Sequence, residues 1–280
     1  MKIHWLKTLT LAAITLGGSS LWSADTPAQT AWGILQNGAA DKSADKRANA
    51  MRALGLITRD PKAAAMAEKG LGDEKTDVRA AAATALGEMD ATGSIAKLRN
   101  TISDKEPKVV LAAARSLAQL KDDPPAYGVF YAVLTGQQKA GEGLIASQIQ
   151  GLQNPKNLAE FGVGFVPFGG VGLFAFKALT KDDVSPVRAA AANALAKDPD
   201  PQTTKALVQA VSDKSWVVRA GALQAIAKRG DPALLKNIRG AMADDKDVVS
   251  YTASAAVIKL TNLQQAPKRE PEKKPTRKNG

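Results

Sequence analysis

Residues 213–232 read DKSWVVRAGALQAIAKRGDP, and this stretch decides the fold. Its apolar and small residues recur at helical spacings, which places them on one face of an α-helix and excludes the alternation of a strand. The residues on that face are Val218, Ala222, Ala225 and Ile226. The stretch therefore predicts a helix with one buried face.

The end of the same stretch predicts a turn and a second helix. Gly230 suits the left-handed residue that ends a helix. Asp231 suits the N-cap of the next helix, and Pro232 suits its first turn, where a backbone N–H is not needed. One short stretch thus encodes a helix, a tight turn and the start of another helix.

The same unit recurs with a period of about 31 residues. Each copy has an aspartate, a valine five residues later, an alanine four residues after the valine and a larger aliphatic residue eight after it. The valines are Val78, Val109, Val187, Val218 and Val249, and the aspartates are Asp73, Asp104, Asp182, Asp213 and Asp244. An earlier copy has Asp41, Ala50 and Leu54, with Lys46 in the valine position.

Second helices are predicted where an aspartate or asparagine precedes a proline. These pairs are Asp60-Pro61, Asp123-Pro124, Asn154-Pro155, Asp200-Pro201 and Asp231-Pro232. A helix pair that cannot bury its apolar face alone must stack on its neighbours. The sequence therefore predicts an all-α fold, a right-handed α-solenoid of stacked helix pairs.

Three stretches carry a resemblance to a known family: DVRAAAATALG from Asp77, SPVRAAAANALA from Ser185 and WVVRAGALQAIA from Trp216. They are similar to HEAT repeats, including the short HEAT-like repeats of phycobilin lyases, and the resemblance covers residues 41–260. The resemblance implies that the arginines after the valines make hydrogen bonds between repeats. Those arginines are Arg79, Arg188 and Arg219, whereas Val110 and Ser250 interrupt the row.

The N-terminus predicts a secretory signal in residues 1–24. Lysines precede a short apolar run that small residues follow, which is the order of regions in such signals. The run is too short to span a bilayer comfortably, and an uncleaved anchor is the alternative. We expect the mature chain to be periplasmic or secreted, with residues 25–40 as a polar lead-in to the first repeat.

Removal of this signal would leave a chain without histidine or cysteine, because His4 is its only histidine and it has no cysteine. Thiol nucleophiles, Cys/His zinc sites and Ser-His-Asp triads are then excluded. The recurring aspartates precede first helices, where a carboxylate can accept backbone N–H groups. We therefore predict structural aspartates, no catalytic residue, and no metal or cofactor site.

The repeats lose their step at about residues 155–180, which we interpret as a degenerate insertion rich in glycine and phenylalanine. Residues 161–176 read FGVGFVPFGGVGLFAF and carry no charge. Glycine and proline disfavour a regular helix there. The stretch is predicted to be a buried, irregular plug, or else to bind a partner or a membrane through residues such as Phe165 and Phe168.

The C-terminal residues 264–280 read QQAPKREPEKKPTRKNG, and they are rich in proline and charge. Such a composition predicts a disordered tail, so the solenoid is expected to cover residues 41–263. The basic tail either keeps the chain soluble or attracts acidic surfaces. The net charge of +11 lies partly in the tail and the signal, which argues against nucleic acid as the partner.

Four residues of the regular repeats are candidates for partner binding. Lys205 and Lys236 occupy the same position of successive second helices, and Arg239 follows nearby. Second helices commonly line the concave side in proteins that this chain resembles, so these residues would form a concave basic stripe, with an ordinary solvated face as the alternative. Trp216 begins a first helix, where core packing is the alternative to partner binding.

The sequence favours an exported scaffold that binds another protein and has no catalysis of its own. The first alternative is an enzyme or enzyme accessory resembling the phycobilin lyases, because that family shares this repeat. Turnover in a pigment-transfer assay would favour it. The second alternative is a peripheral membrane-associated adaptor that uses residues 161–176, and flotation with liposomes would favour that one.

Overall fold

The computed structural model describes residues 25–122, 125, 129 and 185–266, and within these ranges the regular structure is entirely helical. Several predictions concern segments outside the described residues. They are the signal peptide of residues 1–24, the second-helix starts at Asp123-Pro124 and Asn154-Pro155, the insertion at about 155–180 with the stretch 161–176 and its Phe165 and Phe168, and residues 267–280 of the tail predicted for 264–280.

The described helices fall into two parts. The first part contains α1 (Pro27–Ala39), α2 (Ala44–Leu54), α3 (Pro61–Gly70), α4 (Thr76–Glu88), α5 (Ile95–Thr101) and α6 (Pro107–Gln119). The second part contains α7 (Ser185–Ala194), α8 (Pro201–Ala210), α9 (Trp216–Arg229), α10 (Leu235–Ile238) and α11 (Asp247–Gln265). Short 3₁₀ turns adjoin three of these helices, at Thr92–Ser94, Leu195–Lys197, Pro232–Leu234 and Arg239–Ala243.

The helices pair as the repeat pattern predicts. Helices α2, α4, α6, α7, α9 and α11 are the first helices of their repeats, and α3, α5, α8 and α10 are the second helices. The all-α fold of stacked, HEAT-like helix pairs is thereby confirmed.

The predicted turn after α9 is confirmed in detail. Gly230 ends the helix in the left-handed conformation, with φ of 72°. The side chain of Asp231 accepts the backbone N–H of Ala233 at 3.0 Å. Asp60 and Asp200 cap α3 and α8 in the same way. Local capping chemistry therefore starts these second helices.

The first helices pack directly on one another, α2 on α4 on α6 and α7 on α9 on α11. Small residues make this close approach possible. A Cβ atom added to Gly221 would lie 2.9 Å from the Cα atom of Ala189, closer than packed atoms come. The repeat alanines Ala82, Ala113, Ala222 and Ala253 are fully buried at these contacts.

Replacing Ala222 with leucine should therefore lower the free energy of unfolding by about 1–3 kcal/mol, because the added carbons overpack the contact between helices. Ala206 is exposed on α8, and the same replacement there should change stability by no more than about 0.5 kcal/mol. Urea denaturation followed by circular dichroism measures both values. Equal stabilities of the two variants would show that Ala222 does not lie in a tight contact.

The second helices form a separate outer layer. Leu98, Leu207 and Ile238 turn inward and are buried. Each second helix packs on the first helix that follows it, but successive second helices make few contacts with one another. Helices that splay apart lie on the convex side of a curved stack. The expectation that second helices line the concave side is therefore wrong.

The first and last repeats are neighbours in space. Helix α11 packs on both α1 and α2, so the first helices follow one another in the order α7, α9, α11, α2, α4, α6. Two polar contacts cross this junction. Lys46 Nζ lies 3.4 Å from Asp247 Oδ2, and Asn262 Nδ2 donates to Asp60 Oδ2 at 2.9 Å. The order of the described repeats in the stack therefore differs from their order along the chain.

Helix α1 lies in the segment predicted to be a polar lead-in, but it is a packed element of this junction. It lies between α11 and α2 and touches α3, which is the place that second helices occupy elsewhere in the stack. It buries Ala31, Leu35 and Gly38. Burial also raises the pKa of Tyr251 on α11 to about 12, helped by the negative charges of Asp247 and Asp41. Helix α1 thus completes the last repeat.

Candidate functional site

An arginine–aspartate ion pair joins each regular repeat to the next. Arg79 of α4 donates from Nε and Nη2 to the two carboxylate oxygens of Asp104, at 2.7 and 2.9 Å. Its Nη1 donates to the carbonyl oxygen of Asp73 at 3.0 Å. Equivalent pairs are Arg47–Asp73, Arg188–Asp213 and Arg219–Asp244. These arginines therefore link repeats, as the family resemblance implied.

The recurring aspartates also fix the turns that precede the first helices. Asp73 Oδ1 accepts the backbone N–H of Lys75 at 2.9 Å, and Asp213 Oδ1 accepts that of Ser215 at the same distance. The N-cap positions of α4 and α9 belong to Lys75 and Ser215, whose side chains make no capping hydrogen bond. The aspartates are structural, as predicted, but each lies three residues before the first helical residue and accepts the backbone N–H of the N-cap residue.

One member of this row, Arg47, was not predicted from the sequence. It follows Lys46 just as Arg79 follows Val78, so its position was the available signal. Because Lys46 occupies the valine position in this copy, the Val-Arg pattern did not identify Arg47. Ser250 departs from the row as predicted, and its hydroxyl donates instead to the carbonyl oxygen of Met242 at 2.6 Å.

Low pH should weaken the arginine–aspartate ion pairs between repeats. Hydrogen bonds from Arg47 and Arg188 hold the pKa of Asp73 and Asp213 below the usual range, although desolvation opposes the shift. A carboxylate with a lowered pKa in the folded state contributes stability that is present above its unfolded pKa, about 3.9. That contribution is lost as the pH falls through the lower, folded value.

We therefore expect the free energy of unfolding to decrease below about pH 4. Urea denaturation at pH 6 and at pH 3 tests this. Equal values at the two pH values would mean that the ion pairs do not hold the carboxylates in their charged form.

A second group of polar side chains lies at the C-terminal ends of the first helices. They occupy the positions six and ten residues after the valine position, one helical turn apart. We name this set the inner face. Its members are Arg52, Thr84, Arg115, Asn193 and Gln224 at the first position, and Glu88, Gln119, Lys197, Lys228 and Lys259 at the second.

The charges of the inner face converge from both parts of the chain. Desolvation raises the pKa of Glu88 on α4, while the positive charges of Arg115, Lys228 and Arg52 oppose this shift. Lys228 belongs to α9, and α11 and α2 lie between α9 and α4 in the stack. Glu88 is exposed to solvent, yet the charge of Lys228 reaches it across two intervening first helices, as expected inside a concave surface. The first helices therefore line the concave side.

Three lysines of the inner face come from the ends of successive first helices, α7, α9 and α11. Lys228 Nζ donates to Asn193 Oδ1 at 3.0 Å, which brings it to the end of α7, one turn from Lys197. Desolvation lowers the pKa of Lys259, and the charges of Lys197 and Lys228 lower it further. Desolvation likewise lowers the pKa of Lys228, with Glu88 opposing. We name Lys197, Lys228 and Lys259 the inner lysines.

The residues predicted to bind a partner do not come together. Lys205, Lys236 and Arg239 are exposed, but they belong to the outer layer and not to a concave stripe. Trp216 is half-buried and packs against the core. Phe165 and Phe168 lie outside the described residues. The partner-binding role of all these residues stays a prediction.

Other features of the described residues offer no chemical site. A shallow groove of about 340 Å³ lies between the ends of α3 and α5, but its charged walls are already paired. Glu68 accepts from Lys97, and Asp104 accepts from Arg79. Residues 25–122 and 185–266 contain no cluster of three metal-ligating side chains of the His, Cys, Asp or Glu type. No helix in these ranges is long and apolar enough to cross a membrane.

Comparison with known sequences identifies the repeats. A sequence model of HEAT repeats matches residues 33–118, 67–135 and 174–259. This confirms the resemblance on which the prediction of the fold relied. A search of curated protein sequences finds no match.

Three solved structures are similar to this chain at low identity. The first is the complex of CpcE and CpcF of phycocyanin lyase from Nostoc sp. PCC7120, at 18% identity over 88% of this chain and 96% of that one, with a TM-score of 0.33. Human deoxyhypusine hydroxylase in complex with glycerol follows at 18% identity over 85% and 86%, with a TM-score of 0.31. An archaeal HEAT-like repeats protein from Thermococcus onnurineus NA1 has 14% identity over 86% and 98%, with a TM-score of 0.25.

Proposed function

The chain belongs to the family of HEAT repeat proteins, and from this premise we propose that it is a protein-binding scaffold without catalytic activity of its own. A curved stack of helix pairs presents a long surface that a partner can follow. The chain has no cysteine, and its only histidine is His4, which limits the chemistry that such a surface can perform.

The observation that carries this proposal is the charge of the inner face. Its ionisable members are five cations and a single anion, Glu88. They stand on the concave side, where field lines are focused between low-dielectric walls. A predominantly positive concave surface is suited to attract a partner segment of negative charge. We therefore assign partner binding to the inner face.

Two charge-matched variants test this assignment. One replaces Lys197, Lys228 and Lys259 of the inner face with glutamine. The other replaces Lys205, Lys236 and Arg239 of the outer layer with glutamine, and so loses the same number of positive charges. Circular dichroism and thermal melting first establish that both variants are folded.

The readout is capture of partner proteins from the native envelope, identified by mass spectrometry. The inner-face variant is expected to lose partners that the wild-type chain and the outer-layer variant both retain. Loss in the outer-layer variant alone would move the binding surface to the second helices and overturn the assignment. Retention of every partner by both variants would overturn it as well.

The proposed scaffold acts outside the cytoplasm. The order of a basic start, a short apolar run and small residues in 1–24 supports export through a secretory signal. N-terminal sequencing of the protein from its native source should begin near Ala24 or Asp25. An intact Met1 in a soluble cytoplasmic fraction would contradict export.

A further inference from the structure

We propose that Asp41 and Asp247, at the junction between the first and last repeats, bind an arginine side chain of a partner protein. The site lies where the stack lacks one of its arginine–aspartate ion pairs. It is at the N-terminal ends of α2 and α11, whereas the inner face is at the C-terminal ends of the first helices. The inference therefore goes beyond the proposed function and does not depend on it.

The junction keeps the register of the regular interfaces between repeats. Arg59 lies thirteen residues after the valine position of its repeat, and it donates to Asp90 of the next repeat at 2.6 Å. Asn262 has the same position in the last repeat, and it donates to Asp60 of the first repeat at 2.9 Å. Asp60 is within two residues of the position that Asp90 has in its own repeat. Helix α11 therefore precedes α2 in the stack as α2 precedes α4.

The ion pair expected from this register is missing. Ser250 occupies the arginine position of α11, and its hydroxyl donates to the carbonyl oxygen of Met242. Asp41 occupies the aspartate position of the next repeat in the stack, and its turn is built as in the other repeats, because Oδ1 accepts the backbone N–H of Ser43 at 2.8 Å. In the part of the chain that the structure describes, no arginine donates to the Asp41 carboxylate. This carboxylate is therefore placed to accept a guanidinium group from elsewhere.

The exposure of Asp41 agrees with a missing guanidinium. The aspartate side chains of the regular pairs, Asp73, Asp104, Asp213 and Asp244, are only 11–14% exposed. The side chain of Asp41 is 34% exposed. The part of the carboxylate that an arginine covers in the regular repeats is thus open to solvent at the junction.

A buried hydroxyl group faces the same place. Tyr251 follows Asp247 by one helical turn on α11, and only 6% of the residue is exposed. Its ring lies against Gly38, whose carbonyl oxygen accepts the backbone N–H of Asp41. The charges of both carboxylates act on the hydroxyl, which makes no hydrogen bond to any residue that the structure describes. A buried hydroxyl without a partner costs free energy, and it can accept an N–H donor.

Lys46 fills this site only in part. Its Nζ atom lies 3.8 Å from Asp41 Oδ2 and 3.4 Å from Asp247 Oδ2, longer than the roughly 2.7–2.9 Å of a charge-assisted hydrogen bond. The lysine side chain is 42% exposed, and exposed ion pairs contribute little to stability. Two carboxylates with one ammonium group leave a net negative charge, which a single guanidinium group would neutralise.

Arginine matches the site better than other cations do. A guanidinium group has its donors in a planar fork and can bind a carboxylate through two hydrogen bonds, whereas the lysine ammonium group is a point charge. Arg219 shows this arrangement in the same stack, with Nε and Nη2 donating to Asp244 at 2.7 and 2.8 Å. A Ca²⁺ ion requires about six oxygen ligands or more. The carbonyl oxygen of Asp41 is already used by Arg47.

The site can be tested by NMR titration of the purified chain with three short peptides. They are Gly-Arg-Gly, Gly-Lys-Gly and Gly-citrulline-Gly, blocked at both ends, so that only the central side chain differs. The arginine peptide is expected to shift the amide signals of residues 41–46 and 247–251 in a saturable way. The lysine peptide should bind about fivefold more weakly, because it lacks the fork of donors. The uncharged citrulline peptide should not bind.

Three variants localise the binding. Asp41→Asn keeps an oxygen for the backbone N–H of Ser43 but loses the charge, and it should bind the arginine peptide at least about tenfold more weakly. Ser250→Arg supplies the missing arginine from the chain itself, so it should pair with Asp41, raise the melting temperature and block the peptide. Asp45→Asn removes the same charge from an exposed position of α2 and should bind like the wild-type chain. Unchanged melting temperatures of the two asparagine variants establish that they are folded.

Several results would overturn the inference. Equal binding of the arginine and citrulline peptides would show that the site does not recognise a guanidinium group, and equal binding by the two asparagine variants would place the peptide elsewhere. Ca²⁺ shifting the same amides without any response to the arginine peptide would assign the site to a metal ion. If the peptide binds only after Arg269 and Arg277 are replaced with glutamine, the occupant is the tail of the same chain and not a partner.

The outcome is independent of the function proposed for the inner face. The variant with the three inner lysines replaced with glutamine should bind the arginine peptide like the wild-type chain. Loss of native partners by that variant, together with failure of the arginine peptide to bind the wild-type chain, would leave the scaffold function standing and remove only the arginine site.

Discussion

Replacing Asp104 with alanine should lower the free energy of unfolding by about 3–5 kcal/mol. The side chains of Arg79 and Asp104 are only 8% and 12% exposed, and two hydrogen bonds join them. Removing the carboxylate leaves a guanidinium group without its counter-charge in a partly buried place. Further hydrogen bonds to the carbonyl oxygens of Asp73 and Glu74 hold that group where it is. Urea denaturation measures the loss.

A second aspartate of the same region provides the control. Asp77 pairs with Lys108 of the next repeat, but these side chains are 55% and 38% exposed. Asp77→Ala should cost about 1 kcal/mol or less, because solvent screens an exposed pair. The double variant Arg79→Met with Asp104→Leu should recover much of the loss, since it leaves no unpaired charge. The prediction fails if Asp104→Ala is no more destabilising than Asp77→Ala.

The features that the sequence predicted depend on short-range rules. A helix face, a glycine that ends a helix and an aspartate that caps the next one are all determined within a few residues. Gly230 and Asp231 are examples. The ion pairs between repeats were also predictable, because each joins equivalent positions of adjacent repeats. Arg47 was not predicted, because its copy of the repeat has a lysine in the valine position.

The features that the sequence did not predict depend on long-range packing. The contact between Asn262 and Asp60 joins residues 202 positions apart, and no local pattern encodes it. The direction in which the stack curves is related to the distribution of small residues in the sequence. First helices carry the alanines and Gly221, so they approach one another more closely than second helices do. The more closely packed layer lies on the inner side of the curve. This curvature brings Glu88 and Lys228 near enough for their charges to interact.

The junction between α1 and α11 leads to the second large effect, on Gly38. A Cβ atom added to Gly38 would lie 2.6 Å from the Cζ atom of Tyr251, whose side chain is buried. Gly38→Leu should lower the free energy of unfolding by about 3 kcal/mol, because the larger side chain must push α1 away from α11. The measurement is urea denaturation, with hydrogen exchange of the α11 amides as a local probe.

The same helix contains its own control, Gly33, where an added Cβ atom would meet nothing within 4 Å. Gly33→Leu should raise stability by about 0.5–1 kcal/mol, because leucine favours a helix more than glycine does. Adding Tyr251→Ala to Gly38→Leu should recover part of the loss, since the smaller residue makes room for the leucine. Faster exchange throughout α11 in Gly38→Leu alone would show that α1 protects the last repeat. Similar stabilities for the two leucine variants would instead mean that α1 does not pack on α11, and the last repeat would then have to be completed by another part of the chain.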